Sequence, residues 1–120
     1  MLKQKLDSLM KLLNEKGADE LILMNSSNMG YLLNYEDGIL TIINRDGITT
    51  VVPVLDYYRA KEILQNDEVK VIGYASYSIS APEDIEMIGR DALFNMIIGN
   101  GNKVIAIDEA RNWLTSEIRG

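Results

Sequence analysis

The sequence predicts a single α/β domain in which helices cover both faces of a mixed β-sheet of about five to six strands. Short aliphatic or β-branched runs alternate with segments of helical periodicity, and two of these runs flank an Asp-Gly turn. A length of 120 residues is enough for one ordinary core and too short for two. Residues 1–120 are therefore expected to form one domain.

The first quarter of the chain predicts a helix, a buried strand and a second, short helix. The first helix spans residues 2–16 because apolar side chains recur on one face at the 3.6-residue period: Leu2, Leu6, Leu9, Met10 and Leu13. Gly17 is a suitable residue to end it. The apolar run 20–24 predicts a strand buried on both faces. Residues 25–28, Asn-Ser-Ser-Asn, are of the types that cap helices, and a short helix over 27–33 follows.

The clearest local signal is a β-hairpin in the middle of the chain. Two β-branched runs, 39–43 and 48–52, flank a turn that contains Asp46 and Gly47, and the glycine supplies a positive φ there. Pro53 ends the second strand because it has no N–H to donate to the ladder.

A third helix is predicted over 55–64, and a further strand over 69–74. Tyr57, Ala60 and Leu64 share one face of this helix, and one of the adjacent residues Tyr57 and Tyr58 is expected to pack inside.

The last third predicts one more helix and one more strand. Residues 80–83, Ser-Ala-Pro-Glu, match a capping box, and the helix that they open would have an apolar face of Ile85, Ile88, Ala92 and Met96. Its first-turn acids Glu83, Asp84 and Glu86 would then complement the helix dipole. A strand over 103–108 follows.

Composition excludes several classes of function. The chain has no cysteine and no histidine, which rules out thiolate or imidazole metal sites and every nucleophile that depends on a histidine base. The net charge of −6 comes without any basic block, so neither nucleic acid nor an anionic membrane surface is an expected partner. A cytoplasmic location fits the absence of cysteine and of a signal peptide. No carboxylate pair or ligand cluster stands out, and we therefore name no catalytic and no metal-binding residue.

Two phrases of the chain resemble the N-terminal domain of the creatinase/prolidase family. Residues 28–35, Asn-Met-Gly-Tyr-Leu-Leu-Asn-Tyr, are similar to the family's N-[IV]-R-Y-L-T-G-F, with matches at Asn28, Tyr31 and Leu32. Residues 52–62 resemble V-P-x-L-[DE]-Y-x-R-A-[KR]-E, a form typical of archaeal and some bacterial prolidases. The resemblance covers about residues 2–107, and its motifs are structural rather than catalytic.

The resemblance implies a mixed sheet with flanking helices, as the periodicity predicts, and also a second domain. In prolidases and Xaa-Pro aminopeptidases a C-terminal "pita-bread" domain holds two divalent metal ions, such as Mn or Co, through two Asp, one His and two Glu, and cleaves the bond before proline. This chain would then be the non-catalytic N-terminal domain of such a peptidase. The segment 109–120 would begin the connection to the missing catalytic domain.

The resemblance further implies a homodimer of the full-length protein, in which this domain narrows substrate access. Asn34 and Tyr35 then become candidates for the wall of the partner subunit's substrate pocket. The alternative for Tyr35 is plain packing at the end of the short helix, and Tyr31, Leu32 and Leu33 are expected in the core. Two alternatives remain open. The chain would be a stand-alone interaction or ligand-binding module, or the N-terminal domain of a creatinase-like amidinohydrolase.

Overall fold

The computed structural model describes residues 2–65, 68–76, 82–98 and 104–108. The described helices are α1 (Leu2–Glu15), α2 (Ser26–Leu33), α3 (Tyr57–Leu64) and α4 (Arg90–Ile98), with a 3-10 turn at Val54–Asp56. The described strands are β1 (Glu20–Leu23), β2 (Leu40–Asn44), β3 (Gly47–Pro53), β4 (Val69–Tyr74), β5 (Met87–Ile88) and β6 (Ile105–Ile107).

The strands form one mixed sheet in the order β5-β4-β3-β2-β1-β6. Strand β2 runs antiparallel to both of its neighbours, β1 and β3, and every other pairing is parallel. The predicted hairpin is therefore confirmed, with Asn44 opposite Gly47 and a φ of +128° at the glycine. A six-stranded mixed sheet confirms the predicted fold class.

Helices cover both faces of the sheet, each above its own apolar cluster. On one face, side chains of α1, α2 and α3 pack on strand residues such as Ile43, Ile48 and Val52. On the other face, Leu93 and Ile97 of α4 pack on strand residues that alternate with those. The period-2 alternation along β2 and β3 thus decides which helix each side chain meets.

Helix α1 ends as its sequence predicts, and α3 buries the predicted face. Gly17 has a φ of +68°, the left-handed conformation that ends a helix at low steric cost. Tyr57, Ala60 and Leu64 are buried, whereas Tyr58 is 54% exposed. One of the two adjacent tyrosines packs inside, as expected.

The predicted helix after residue 80 begins later than its capping pattern suggests. Ser80 and Ala81 lie outside the described residues, residues 82–86 form a turn, and Met87–Ile88 pair with β4. The N–H of Gly73 donates to the carbonyl of Glu86 at 2.8 Å, and the N–H of Ala75 to that of Ile88 at 3.2 Å. Pairing with the open edge of β4 thus outweighs local helix signals in this segment.

The side chains of this segment also differ from the prediction. Leu93 and Ile97 form the buried face of α4, while Ala92 is exposed. Asp84 accepts a hydrogen bond from Tyr58 Oη at 2.9 Å, and Glu86 forms an ion pair with Lys70 at 3.2 Å. These acids therefore serve contacts with α3 and β4 and not a helix dipole.

Candidate functional site

Two groups of hydrogen-bonded polar side chains lie beyond the carboxyl ends of the parallel strands. Strands β1, β3, β4 and β6 run in the same direction, so their carboxyl ends lie together at one end of the sheet. The loop of residues 34–39 leads into β2 at this end. In open α/β sheets, ligands bind outside the carboxyl ends of parallel strands. The two candidate residues predicted from the sequence, Asn34 and Tyr35, lie in the loop at this end of the sheet.

Asn34 ends helix α2 in a conformation that asparagine tolerates better than most residues. Its φ and ψ are 58° and 28°, and its N–H donates to the carbonyl of Gly30 at 2.9 Å. The side chain is exposed. The left-handed turn at this point redirects the chain, so that Tyr35 enters the core.

Tyr35 is an anchor inside the domain. Its side chain is 2% exposed, and its Oη donates to Asp56 Oδ2 at 2.5 Å. Burial, followed by this hydrogen bond to a carboxylate, raises the pKa of Tyr35 above its ordinary value of 10.0. The phenol therefore stays protonated and holds the loop of residues 34–38 against the 3-10 turn.

Arg59 closes the cluster from the solvent side. Its Nη1 lies 2.9 Å from Asp56 Oδ2 and 3.0 Å from Asp37 Oδ2, and its guanidinium lies 5.6 Å from the centroid of the Tyr35 ring. The hydrogen bond that Arg59 donates to Asp37 and the negative charge of Asp56 raise the pKa of Arg59. Four side chains from the loop, the 3-10 turn and α3 are thus joined; we call Tyr35, Asp37, Asp56 and Arg59 the Tyr35 cluster.

A second polar cluster joins the ends of β1 and β6 to helix α2. Asp108 accepts from the N–H of Met24 at 2.7 Å, from the N–H of Asn25 at 3.3 Å and from Asn28 Nδ2 at 2.7 Å. Asn25 caps α2 by accepting from the N–H of Asn28 at 3.2 Å. The predicted capping role is confirmed at Asn25, and Asp108 is an addition that the sequence did not reveal.

Next to Asp108 a cleft of about 580 Å³ opens between α1, α2 and the β1–β6 pair. Lys5 spans its mouth: the ammonium donates to the carbonyl of Tyr31 at 2.6 Å and lies 4.2 Å from the centroid of that ring. Tyr31 is 72% exposed, so its expected place in the core is wrong, whereas Leu32 and Leu33 are buried as predicted. We call this space the α1–β6 cleft.

The described carboxylates do not form a site that could hold a metal ion. Within residues 2–65, 68–76, 82–98 and 104–108, no group of three or more Asp or Glu side chains is placed to hold a metal ion. Asp56 and Asp108 already accept hydrogen bonds from neighbours that fix the fold. In the same part of the chain, no helix has both the length and the apolar character that crossing a membrane requires.

The structure separates the two candidate residues that the sequence singled out. The Asn34 side chain is exposed to solvent at the carboxyl end of the sheet, while the Tyr35 ring is buried. Sequence reasoning missed their partners Asp56 and Arg59, although a carboxylate and a guanidinium at i and i+3 are a known pairing signal. It also missed Asp108, whose partner Asn28 is 80 residues away in the sequence.

Comparisons with known proteins place this geometry in a family. The model of the creatinase/prolidase N-terminal domain matches residues 5–117. No curated protein is significantly similar to the chain in sequence.

Two solved structures share the fold. The X-Pro aminopeptidase from Thermotoga maritima MSB8 superposes with a TM-score of 0.60 at 16% identity, over 94% of this chain and 30% of that one. A proline dipeptidase from Streptococcus agalactiae 2603V gives a TM-score of 0.57 at 16% identity, over 94% of this chain and 97% of that one. The family model covers nearly the whole sequence, and the chain belongs to the creatinase/prolidase N-terminal domain family.

Proposed function

We propose that this chain is the non-catalytic N-terminal domain of an Xaa-Pro peptidase of the prolidase or aminopeptidase P type. The observation that carries the proposal is the shared fold over 94% of this chain and 30% of an X-Pro aminopeptidase. The remaining 70% of that enzyme has no counterpart in this sequence.

In this proposal a further domain cleaves the bond before proline with two divalent metal ions such as Mn or Co. The present chain does not fit those ions. It has no histidine, and its described carboxylates form no cluster of three. Its contribution would be to stabilise a homodimer and to limit access of peptide substrates, in a hydrolase of the cytoplasm.

The surface that we assign to substrate access is the one around Asn34, at the carboxyl end of the sheet. Asn34 is exposed beside the Tyr35 cluster, and an exposed amide can both donate and accept hydrogen bonds. Tyr35 supports the same loop from inside through Asp56. In the full-length dimer, Asn34 would border the partner subunit's substrate pocket, and Tyr35 would act as a positioning residue.

Assay of the purified chain on Xaa-Pro dipeptides with Mn²⁺ or Co²⁺ tests the division of labour. We expect no turnover above that of the metal ion alone, with a prolidase as positive control. The reading frame that encodes the protein supplies the second arm: an Asp, Asp, His, Glu, Glu set beyond residue 120 supports the peptidase. Turnover by the chain itself would refute the proposal.

Substitution of Asn34 in the full-length protein tests the assigned surface. Asn34→Gly removes the amide and keeps the left-handed conformation, because glycine adopts positive φ without strain. We expect KM for an Xaa-Pro substrate to rise several-fold with kcat nearly unchanged. Gln65→Gly, which removes an exposed amide at the C-cap of α3, is the matched control. Equal KM values for the Asn34→Gly and Gln65→Gly variants would show that Asn34 does not border the substrate pocket.

A stand-alone interaction or ligand-binding module is the second candidate, favoured by the α1–β6 cleft. Its volume lies within the range of small-molecule sites, about 300–1,000 Å³. A gene without the five metal-ligand residues would favour this candidate over the peptidase domain.

A further inference from the structure

The loop of residues 34–38 is tied to its neighbouring elements at both ends. The N–H of Asn34 donates to the carbonyl of Gly30 in α2 at 2.9 Å, and the N–H of Ile39 donates to the carbonyl of Val51 in β3 at 2.7 Å. Backbone hydrogen bonds therefore fix the point where the chain leaves α2 and the point where it approaches β2.

Two residues between these points are packed into the core. Tyr35 is buried, and its Oη donates to Asp56 Oδ2. A Cβ at Gly38 would lie 3.1 Å from Met29 Sδ, so the backbone there lies directly on the core. The other three residues of the loop are exposed: Asn34, Glu36 and Asp37. The exposed acidic residues 36–37 thus lie between two packed positions.

Arg59 tethers this exposed part of the loop to helix α3. Its Nη1 donates to Asp37 Oδ2 at 3.0 Å and to Asp56 Oδ2 at 2.9 Å. The same oxygen of Asp56 accepts from Tyr35, so the exposed and the buried attachment of the loop meet at one carboxylate. The Arg59 and Asp37 side chains are each 55% exposed, and exposed ion pairs add little to global stability. The effect of the tether is therefore local: it restricts the movement of residues 36–37.

We propose that Arg59 is a positioning residue that keeps the loop of residues 34–38 as a preformed wall, which does not have to close on a ligand. A surface that is already ordered avoids the entropic cost of ordering a loop on binding. A loop released from Arg59 would carry that cost, and binding at this surface would weaken. For catalysis the inference rests on the proposed function, because only there does the loop border a substrate pocket.

Nuclear magnetic resonance of the 120-residue chain tests whether the loop is preformed. We expect backbone amide order parameters of about 0.85 at Glu36 and Asp37, as in a rigid backbone, and values that fall toward about 0.6 in Arg59→Ala. Lys61→Ala is the matched control, because it removes another exposed cation of α3, whose ammonium lies 6.0 Å from the centroid of the Tyr57 ring. This variant should keep the native order parameters.

A second variant breaks the same contact from the loop side. Asp37→Ala removes the ion pair and leaves Arg59 beside Asp56, so it should lower the order parameter at position 37 as Arg59→Ala does. Glu36→Ala removes the neighbouring acid while the Asp37–Arg59 pair stays, and it should not lower this value. Low order parameters in the native chain, or equal values for Arg59→Ala and Lys61→Ala, would overturn the proposal.

Kinetics of the full-length protein test the consequence for the substrate. Arg59→Ala should raise KM for an Xaa-Pro dipeptide several-fold with kcat nearly unchanged, because the loss concerns binding and not the chemical step. Arg59→Lys should recover part of this loss, since its ammonium can still pair with Asp37, and Lys61→Ala should behave like the native protein. An unchanged KM in Arg59→Ala would overturn the role in substrate access. Absence of Xaa-Pro turnover by the native protein would refute the proposed function instead, and the order parameters would still decide whether the loop is preformed.

Discussion

Among single residues, Asp56 links Tyr35 of the 34–38 loop to Arg59 of helix α3. One oxygen, Oδ2, accepts from both Tyr35 and Arg59. The two hydrogen bonds contribute differently to the free energy of unfolding. The Arg59 side chain is 55% exposed, and exposed ion pairs contribute about 0–1 kcal/mol. The Tyr35 bond is half-buried and charge-assisted, so it should be the stronger of the two.

Tyr35→Phe should therefore lower the free energy of unfolding by about 1–2 kcal/mol, toward the low end for a hydrogen bond to a charged group because the Asp56 side chain is 26% exposed. The ring and its packing remain, and Arg59 keeps Asp56 paired. Urea denaturation at pH 7 measures the change. Tyr31→Phe removes a hydroxyl from a residue that is 72% exposed, and should change stability by less than about 0.5 kcal/mol. Similar losses in both variants would contradict this role of the buried phenol.

The raised pKa of Tyr35 has a consequence at alkaline pH. The unfolded chain loses this proton near the ordinary value of 10.0, whereas the folded chain keeps it to higher pH. The contribution is therefore fully present below pH 10 and is lost as the pH rises from there toward the folded-state pKa. Stability of the native chain should fall more steeply above pH 10 than that of Tyr35→Phe. Parallel profiles from urea titrations at pH 8 to 11 would refute this coupling.

Among the elements, helix α2 and the loop after it contain two glycines, and only one of the two positions has room for a side chain. A Cβ at Gly38 would lie 3.1 Å from Met29 Sδ and 3.2 Å from Thr50 Cγ2, both in the buried core. A Cβ at Gly30 would meet Glu36 at 3.4 Å, an ordinary contact distance. The loop therefore passes close over the sheet at Gly38, whereas α2 has room for a side chain at Gly30.

Gly38→Ala should destabilise the chain by about 1–3 kcal/mol, because overpacking forces neighbouring side chains to move. Gly30→Ala should stabilise it by about 0.5–1 kcal/mol, because alanine costs less than glycine in a helix interior. Thermal melts of the two variants against the parent give both signs in one experiment. A gain from Gly38→Ala would show that the loop relaxes freely.

Sequence patterns predicted those elements whose signals are local. The 3.6-residue period marks α1 and α3, and Asp-Gly marks the hairpin at Gly47. The start of α4 was misplaced because β5 exists only through pairing with a distant strand edge. The site followed the same rule: helix caps were visible at Asn25, but the partners of Tyr35 and Asn28 lie 21 and 80 residues away and depend on the assembled sheet.

For the molecule as a whole, β6 covers the edge of β1 and is itself the short edge strand on that side of the sheet. Glu20, Leu21 and Ile22 pair with residues 105–107, and the N–H of Asp108 donates to the carbonyl of Ile22 at 3.2 Å. Without β6, the backbone of β1 would have one unpaired edge. An exposed apolar strand edge is a template for pairing with another chain.

A chain that ends at residue 98 should therefore self-associate. A chain that ends at residue 108 should keep the oligomeric state of the 120-residue protein. The two differ in β6 while sharing α1–α4 and the rest of the sheet. Size-exclusion chromatography with light scattering at several concentrations measures the effect. Identical sizes for the two truncated chains would mean that the edge of β1 is protected in another way.

The same pairing joins a strand made early in synthesis to one made late. Residue 22 leaves the ribosome long before residue 107, by roughly 4–17 s at about 5–20 residues per second. During that interval the hairpin can already pair with β1, but the other side of β1 stays open. A nascent-chain chaperone that shields strand edges would be needed most in these seconds, and pausing of translation before β6 would prolong the need.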